Sequence, residues 1–165
     1  MTSTLASTFI FGGPMREEVK IKKWEGEIPV HYLYTYGLAG EKFFREIKDH
    51  GKFVATKCSK CNVTYVPPRI YCECCFAELK DYIDVGTKGT VETYTICHES
   101  LEGGRLSKPE VIACVKIDNT DGGVVHRLLG IETSKIKIGM KVDAVFADPS
   151  KRTGNINDIL GFRAV

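Results

Sequence analysis

Seven cysteines fall along this chain of 165 residues, and four of them form two C-x2-C pairs separated by ten residues. The four are Cys58, Cys61, Cys72 and Cys75. Each C-x2-C turn directs two thiolates toward one metal ion, and two such turns complete the closed tetrahedral shell of a structural zinc site. The pattern therefore predicts one structural Zn²⁺ held by these residues, because incidental buried cysteines do not readily explain two pairs at ligand spacing.

Two alternatives concern the ligand set and the metal. Cys74 lies between Cys72 and Cys75, and the spacing of the first pair favours Cys75 as the fourth ligand. Iron is the rival metal, since four thiolates also bind iron in rubredoxins, usually with glycine after the second cysteine of each pair. Here those positions hold Asn62 and Phe76. Phenylalanine is expected to avoid the left-handed backbone that glycine adopts there, which favours zinc and argues against electron transfer.

The charge of the chain is balanced, with 23 basic and 21 acidic residues and a net charge of +2. This balance gives no strong attraction to nucleic acid or to a membrane surface. No apolar run approaches the roughly 18 residues needed to cross a bilayer. The opening MTSTLASTFIFGG has neither the basic region nor the long apolar core of a signal peptide. Paired C-x2-C motifs without a secretion signal favour a metal site in a reducing compartment, so we expect a cytoplasmic protein.

The sequence divides into three segments. Residues 1–50 form a lead-in that ends in a short amphipathic helix, predicted over 38–50. Phe43, Phe44 and Ile47 cluster on one side of this helix, and charged residues cover the other side. Residues 51–80 form the zinc ribbon, and residues 81–165 form a β-barrel. The fold is therefore predicted to be mainly β.

Alternating apolar residues and turn residues predict the barrel. Five strands are expected near residues 89–98, 110–118, 124–132, 141–147 and 156–163. A hairpin loop is expected at 119–123, and a long polar loop at 99–109. Five short strands of this kind are typical of a closed OB-fold barrel, the oligonucleotide/oligosaccharide-binding type. Cys97 and Cys114 fall within these strands and are predicted to lie in the core.

Over roughly residues 30–165 the chain resembles the family called domain of unknown function thirty-five. The residues that carry this resemblance are the segment KCSKCNVTYVPPRIYCECC, the preceding AGEKFFREIKDHGKFVATKC and the following small barrel. The resemblance implies a rubredoxin-like zinc ribbon joined to an OB-fold. It also implies a non-catalytic scaffold subunit of a thiolase-type acyl-CoA complex. The implied partners are acetoacetyl-CoA thiolase and, in the mevalonate pathway, HMG-CoA synthase, with a shared coenzyme A thioester.

We expect no catalytic residue in this chain, since its sequence contains no nucleophile elbow, phosphate-binding glycine loop or HExxH motif. Coenzyme A would require Arg or Lys for its phosphates and an apolar face for its adenine. Four basic residues are candidates for this role, although each is also an ordinary surface charge. They are Lys57, Arg69, Arg105 and Arg127.

The alternative hypothesis is a module that binds single-stranded nucleic acid, because OB-folds often do so. Aromatic residues are sparse across the predicted barrel, which weakens this hypothesis. Large aromatic residues concentrate instead in the lead-in. They either close over the protein's own core or, since interfaces are enriched in Tyr, Trp and Phe, form part of a surface that docks a thiolase. These lead-in aromatics are Trp24, Tyr32, Tyr34 and Tyr36.

Overall fold

The structure is a computed structural model, and it describes residues 26, 33–100 and 102–165. Trp24 and Tyr32 of the predicted docking segment lie outside the described residues. The described elements are one α-helix, eight β-strands and three short 3₁₀ helices. In chain order, the helix and strands are α1 (Gly37–His50), β1 (Phe53–Cys58), β2 (Val63–Tyr65), β3 (Tyr82–Gly86), β4 (Lys88–Glu99), β5 (Arg105–Ile117), β6 (Gly123–Leu129), β7 (Lys141–Phe146) and β8 (Ile159–Ala164).

Helix α1 confirms the predicted amphipathic helix. Its buried face includes Phe43 and Ile47, and it ends as expected at Gly51. Gly51 adopts the left-handed conformation at φ 63°, and its N–H donates to the Ile47 carbonyl at 3.0 Å. The Arg152 guanidinium also donates to the Ile47 carbonyl, at 3.5 Å, and so ties the helix end to the loop after β7. No helix among the described residues has the length and apolar character of a membrane span.

Strands β1, β2 and β3 form an antiparallel sheet in the order β2-β1-β3. Strand β1 is central, with Cys58 opposite Val63 on one side and Thr56 opposite Tyr82 on the other. The 16 residues between β2 and β3 carry the second pair of cysteines. This small sheet is the ribbon part of the predicted architecture.

The remaining five strands close into a barrel in the order β4-β5-β6-β8-β7. This confirms the predicted five-stranded OB-fold. All neighbouring pairs are antiparallel except β6 and β8. Four alternating residues of β5 face the interior, because side chains along a strand point in turn to opposite faces. They are Val111, Ala113, Val115 and Ile117.

Two predictions about the barrel are wrong in detail. The polar loop expected at 99–109 is shorter, because β5 begins at Arg105 and Glu99 pairs with that residue. Cys97 and Cys114 are half-buried and do not lie in the core. Cys114 falls between the inward-facing Ala113 and Val115, so its side chain points to the outer face of the sheet.

One apolar core joins the helix, the ribbon and the barrel. Phe53, the first residue of β1, is fully buried at its centre. Its ring stacks on Phe43 of the helix at 5.8 Å between centroids. It also meets Phe146 at 5.4 Å and Phe162 at 6.3 Å, both of which belong to barrel strands. These aromatic contacts cross the predicted segment boundaries at 50/51 and 80/81, which stay predictions.

The hairpin between β5 and β6 contacts the ribbon directly. The Thr64 N–H donates to the Asp121 carboxylate at 2.8 Å, and the Asp121 N–H donates to the Thr64 carbonyl at 2.9 Å. Next to this pair, Gly122 lies so close to Val66 that a Cβ on Gly122 would stand 2.2 Å from the Val66 carbonyl oxygen. Glycine is therefore required here by the close approach of two backbones.

This contact predicts a large difference between two glycine substitutions. Gly122→Ala should destabilise the protein by about 1–3 kcal/mol, because the new methyl group forces the ribbon and the barrel apart. Gly104→Ala should stay within about 0.5 kcal/mol of the wild type, since its nearest atom would be the Ser100 hydroxyl at 3.6 Å. Urea unfolding of both variants measures the difference, and equal stabilities would contradict the described contact.

Candidate metal centre

The ribbon brings the two cysteine pairs to one place. Cys58 is the last residue of β1, and Cys61 lies in the turn that leads into β2. Cys72 and Cys75 lie in the turns between β2 and β3. Cys58 and Cys72 are fully buried, whereas Cys61 is half-buried and Cys75 is exposed. The cluster therefore lies at the edge of the ribbon, with the Cys75 side toward solvent.

The distances within the cluster suit a metal ion. The four Sγ atoms all lie within 4.8 Å of one another, and those of Cys58 and Cys75 are 3.7 Å apart. A tetrahedral zinc site with Zn–S bonds of about 2.3 Å has sulfur–sulfur edges of about 3.8 Å. A disulfide would need about 2.05 Å, and all four cysteines are free. The four cysteines are thus positioned to bind one metal, and their assignment as its ligands remains our proposal.

The backbone of the two turns corrects one sequence expectation. Asn62 and Phe76 both adopt the left-handed conformation, at φ 53° and φ 56°. Phenylalanine was expected to avoid it, and the expectation is wrong. The Phe76 N–H donates to the Cys72 carbonyl at 2.9 Å, and the Cys72 N–H donates to the Ala77 carbonyl at 2.9 Å, which fixes this turn. The turn geometry therefore gives no argument against iron, and the preference for zinc needs separate support.

Tyr65 is a residue of the site that the sequence analysis did not identify. It ends β2, is buried, and places its hydroxyl 3.3 Å from the Cys72 sulfur. The Glu73 N–H donates to the same hydroxyl oxygen at 3.2 Å. The Arg69 guanidinium lies over the Tyr65 ring, 5.3 Å from its centroid, and Arg69 also pairs with Glu73. The one signal for this contact in the sequence is the position of Tyr65, seven residues before Cys72.

The ionisation of Cys61 and of Cys72 depends on the neighbouring groups of the cluster. The pKa of the Cys72 thiol is lowered to about 6, first by the hydrogen bond from Tyr65 and then by the Cys75 N–H. The pKa of the Cys61 thiol is raised to about 12, first by its hydrogen bond with Cys75 and then by burial. Ionisation of one thiol therefore disfavours ionisation of its neighbours. A dication bound by the four cysteines would offset that repulsion and would allow all four sulfurs to act as thiolates.

Cys74 stands outside the cluster of four sulfurs. Its side chain is exposed, and its sulfur approaches the Tyr65 hydroxyl only to 4.0 Å. The group of cysteines that could share one ion contains Cys75 and not Cys74. The placement supports the ligand set that the spacing favours.

The four candidate residues for coenzyme A do not share one described cavity. Lys57 and Arg69 are exposed on the ribbon, and Arg105 begins β5. Arg127 of β6 lines a groove of about 740 Å³ on the barrel, together with Lys108 and apolar residues such as Ile131. Lys57, Arg69 and Arg105 do not line this groove. Of the four, Arg127 alone combines a positive charge with a described cavity large enough for a cofactor.

A four-cysteine ribbon packed on a closed five-stranded barrel defines a class of small metal-binding protein. Residues 45–80 match the family model of the ChsH2 rubredoxin-like zinc ribbon domain. Residues 82–147 match the family model of the ChsH2 C-terminal OB-fold domain. The chain belongs to the DUF35 family, which confirms the resemblance seen in the sequence. The match to a zinc ribbon supplies the separate support for zinc.

Similar proteins agree with this assignment. A DUF35 domain-containing scaffold protein of Methanocaldococcus jannaschii is 27% identical over 104 residues, which cover 62% of this chain and 73% of the relative. The crystal structure of a DUF35-family protein of unknown function from Sulfolobus solfataricus is 31% identical. It has a TM-score of 0.60 and is matched over 78% of this chain and 84% of its own. The Ltp2-ChsH2(DUF35) aldolase shares the fold at 23% identity, with a TM-score of 0.57 over 79% of this chain and 98% of its own.

The ligand set predicts opposite results for two neighbouring cysteines. Cys75→Ser should lose the metal and unfold at least the ribbon, because metal binding contributes about 10–16 kcal/mol to the folding of small zinc domains. Cys74→Ser should keep about one zinc per chain. Metal content measured by mass spectrometry and ribbon structure measured by NMR test both variants. Loss of zinc from Cys74→Ser with retention in Cys75→Ser would overturn the assignment.

Proposed function

We propose that this chain is a non-catalytic, zinc-containing scaffold subunit of a thiolase-type acyl-CoA complex. The observation that carries the proposal is the similarity to the M. jannaschii scaffold protein over 104 residues. In the Ltp2-ChsH2(DUF35) aldolase, a chain of this fold is also named together with an enzyme. The partners that we propose are acetoacetyl-CoA thiolase and, with it, HMG-CoA synthase of the mevalonate pathway. A cytoplasmic location suits the free thiols.

The metal centre supports a structural role and not a catalytic one. Four thiolates around one zinc leave no coordination position for water, so the metal does not activate a nucleophile. Among the described residues, the hydrogen bonds of the histidines do not reach a hydroxyl or a thiol. His50 pairs with Glu46, and the buried Nδ1 of His126 has no hydrogen-bond partner among the described residues. A nucleophile activated by a base is therefore not assembled in this part of the chain.

The outer face of the barrel favours a protein partner over nucleic acid. A shallow apolar cavity of about 230 Å³ lies across β4, β5 and β6, and the exposed Val125 is part of its lining. Single-strand binding requires stacked aromatic rings along a basic groove. Tyr94 is the one aromatic residue in this lining, and its hydroxyl donates to the Ile136 carbonyl at 3.4 Å. An apolar face of this kind suits the surface of another protein.

The segment from Tyr34 to Leu38, which leads into the first turn of α1, is the docking surface that we propose for the enzyme. Tyr34, Tyr36 and Leu38 are all exposed there. The Tyr36 ring packs edge-on against Phe44 at 5.4 Å between centroids, so the Tyr36 side chain is held against helix α1. Aromatic residues held rigidly in this way bury large area at low entropic cost when a partner binds.

Co-expression of this chain with thiolases whose genes lie next to its own gene tests the proposal. A stable complex should co-elute in size-exclusion chromatography, and Leu38→Asp should weaken it by about tenfold or more, because a charge is then buried in the interface. Ile138→Asp is the matched control, since Ile138 and Leu38 are similarly exposed, at 69% and 77%. Both variants should keep their zinc. Elution of the chain alone, or salt-resistant submicromolar binding to single-stranded DNA, would contradict the scaffold function.

The groove beside Arg127 is the place that we propose for coenzyme A. Its volume of about 740 Å³ falls within the usual range for cofactor sites. Lys108 and Arg127 line it and can bind phosphates, although Glu110 and Glu132 line it as well. Leu129 and Ile131 offer an apolar face to the adenine. No hydrogen bond or ion pair within the described residues involves the Arg127 guanidinium, so its donors are available to a ligand.

Removing the Arg127 side chain should weaken coenzyme A binding to the assembled complex about tenfold, since a charge-assisted hydrogen bond contributes about 1.5–3 kcal/mol. Arg105→Ala should have no effect, because Arg105 does not line the groove. Isothermal titration calorimetry measures both affinities. An affinity unchanged by Arg127→Ala would exclude the groove without affecting the scaffold proposal.

A further inference from the structure

The Tyr65 hydroxyl is held in a fixed position inside the ribbon. Tyr65 is 7% exposed, and the sulfur of Cys72 beside it is inaccessible to solvent because Cys72 is 0% exposed. The hydroxyl oxygen accepts the Glu73 N–H at 3.2 Å and lies 3.3 Å from the Cys72 sulfur. Arg69 covers the ring from above. This arrangement leaves the hydroxyl proton one close acceptor, which is the Cys72 sulfur.

The direction of this hydrogen bond follows from the state of the sulfur. A cysteine that binds a metal is a thiolate and carries no proton, so the tyrosine O–H must be the donor. The Cys74 sulfur, at 4.0 Å, is at the limit of a hydrogen bond to sulfur and competes weakly. Donation to a thiolate withdraws electron density from sulfur and lowers the energy of its lone pairs. Cys72 is fully buried, so bulk solvent does not contact its sulfur in the folded chain.

The two cysteines of the second C-x2-C pair, Cys72 and Cys75, therefore differ in their burial and in their hydrogen bonds. Cys72 is buried and accepts from a fixed hydroxyl, whereas Cys75 is exposed. Residues that hydrogen-bond to metal ligands orient them and affect metal affinity by about 10–100-fold. We propose that Tyr65 is a positioning residue of the metal centre, whose hydroxyl donates to the Cys72 thiolate and retains it on the metal. This inference rests on the proposed ligand set and is independent of any partner.

Tyr65→Phe tests the inference, with Tyr71→Phe as the matched control because Tyr71 is an exposed tyrosine of the same segment. Transfer of zinc from Tyr65→Phe to a chromogenic chelator should be about tenfold faster than from the wild type. In the Co²⁺-substituted protein, the sulfur-to-cobalt charge-transfer band should move to longer wavelength, because the sulfur lone pairs rise in energy. Tyr71→Phe should match the wild type in both measurements.

The spectrum separates an electronic effect from a packing effect. Faster zinc loss with an unmoved charge-transfer band would overturn the inference, because the hydroxyl would then act only by filling space. Unchanged release would overturn it as well. A wild-type chain that binds no Co²⁺ or Zn²⁺ would refute the ligand set itself, which is a different failure.

A measurement on the unaltered protein covers the case in which Tyr65→Phe does not fold. In the ¹¹³Cd-substituted wild type, the Tyr65 hydroxyl proton should appear as a slowly exchanging NMR resonance. It should show contacts to the β-protons of Cys72. A Tyr65 hydroxyl proton that exchanges as fast as that of the exposed Tyr71 would contradict the hydrogen bond.

Discussion

The burial of Phe53 is the interaction on which the arrangement of this protein depends. Its ring contacts Phe43 of the helix and both Phe146 and Phe162 of the barrel, although Phe53 itself begins the central strand of the ribbon. Loss of a buried phenylalanine side chain costs about 3–5 kcal/mol, a large share of the stability of a small protein. The helix, the ribbon and the barrel therefore share one core. The orientation of the metal centre relative to the barrel is set by apolar packing and by the two hydrogen bonds between Thr64 and Asp121.

Features that depend on local pattern could be predicted from the sequence, and features that depend on contacts between distant residues could not. The helix that ends at Gly51, the five strands and the cluster of four cysteines each follow from residue spacing. The left-handed backbone of Phe76 was missed because two hydrogen bonds of its turn outweigh the preference of a bulky residue. The prediction that Cys114 lies in the core is wrong, because Cys114 alternates with the buried residues of β5. The alternation along a strand defines two faces of the sheet but does not say which face is interior.

The candidate binding residues illustrate the same limit. Lys57, Arg69, Arg105 and Arg127 are candidates because they are basic, and the fold distributes them over the ribbon and two barrel strands. Only the pairing of β5 with β6 places Arg127 beside the groove that also holds Lys108. The Tyr65 hydroxyl was missed for a related reason. Its role depends on the path of the chain between β2 and Cys72. This path brings Cys72 and Glu73 next to the Tyr65 hydroxyl.

Strand β1 belongs to two clusters that are otherwise separate. Its first residues, Phe53 to Ala55, lie in the large core, and its last residue, Cys58, lies in the small cluster with Tyr65, Cys72 and Leu79. Backbone amides along this one strand should therefore exchange with solvent deuterium through different opening events. The amides at the Phe53 end should exchange only when the whole domain unfolds. The amides at the Cys58 end should exchange when a metal bound by the cysteines is lost. Six consecutive residues thus record, in their exchange rates, how strongly the metal centre is coupled to the stability of the rest of the chain.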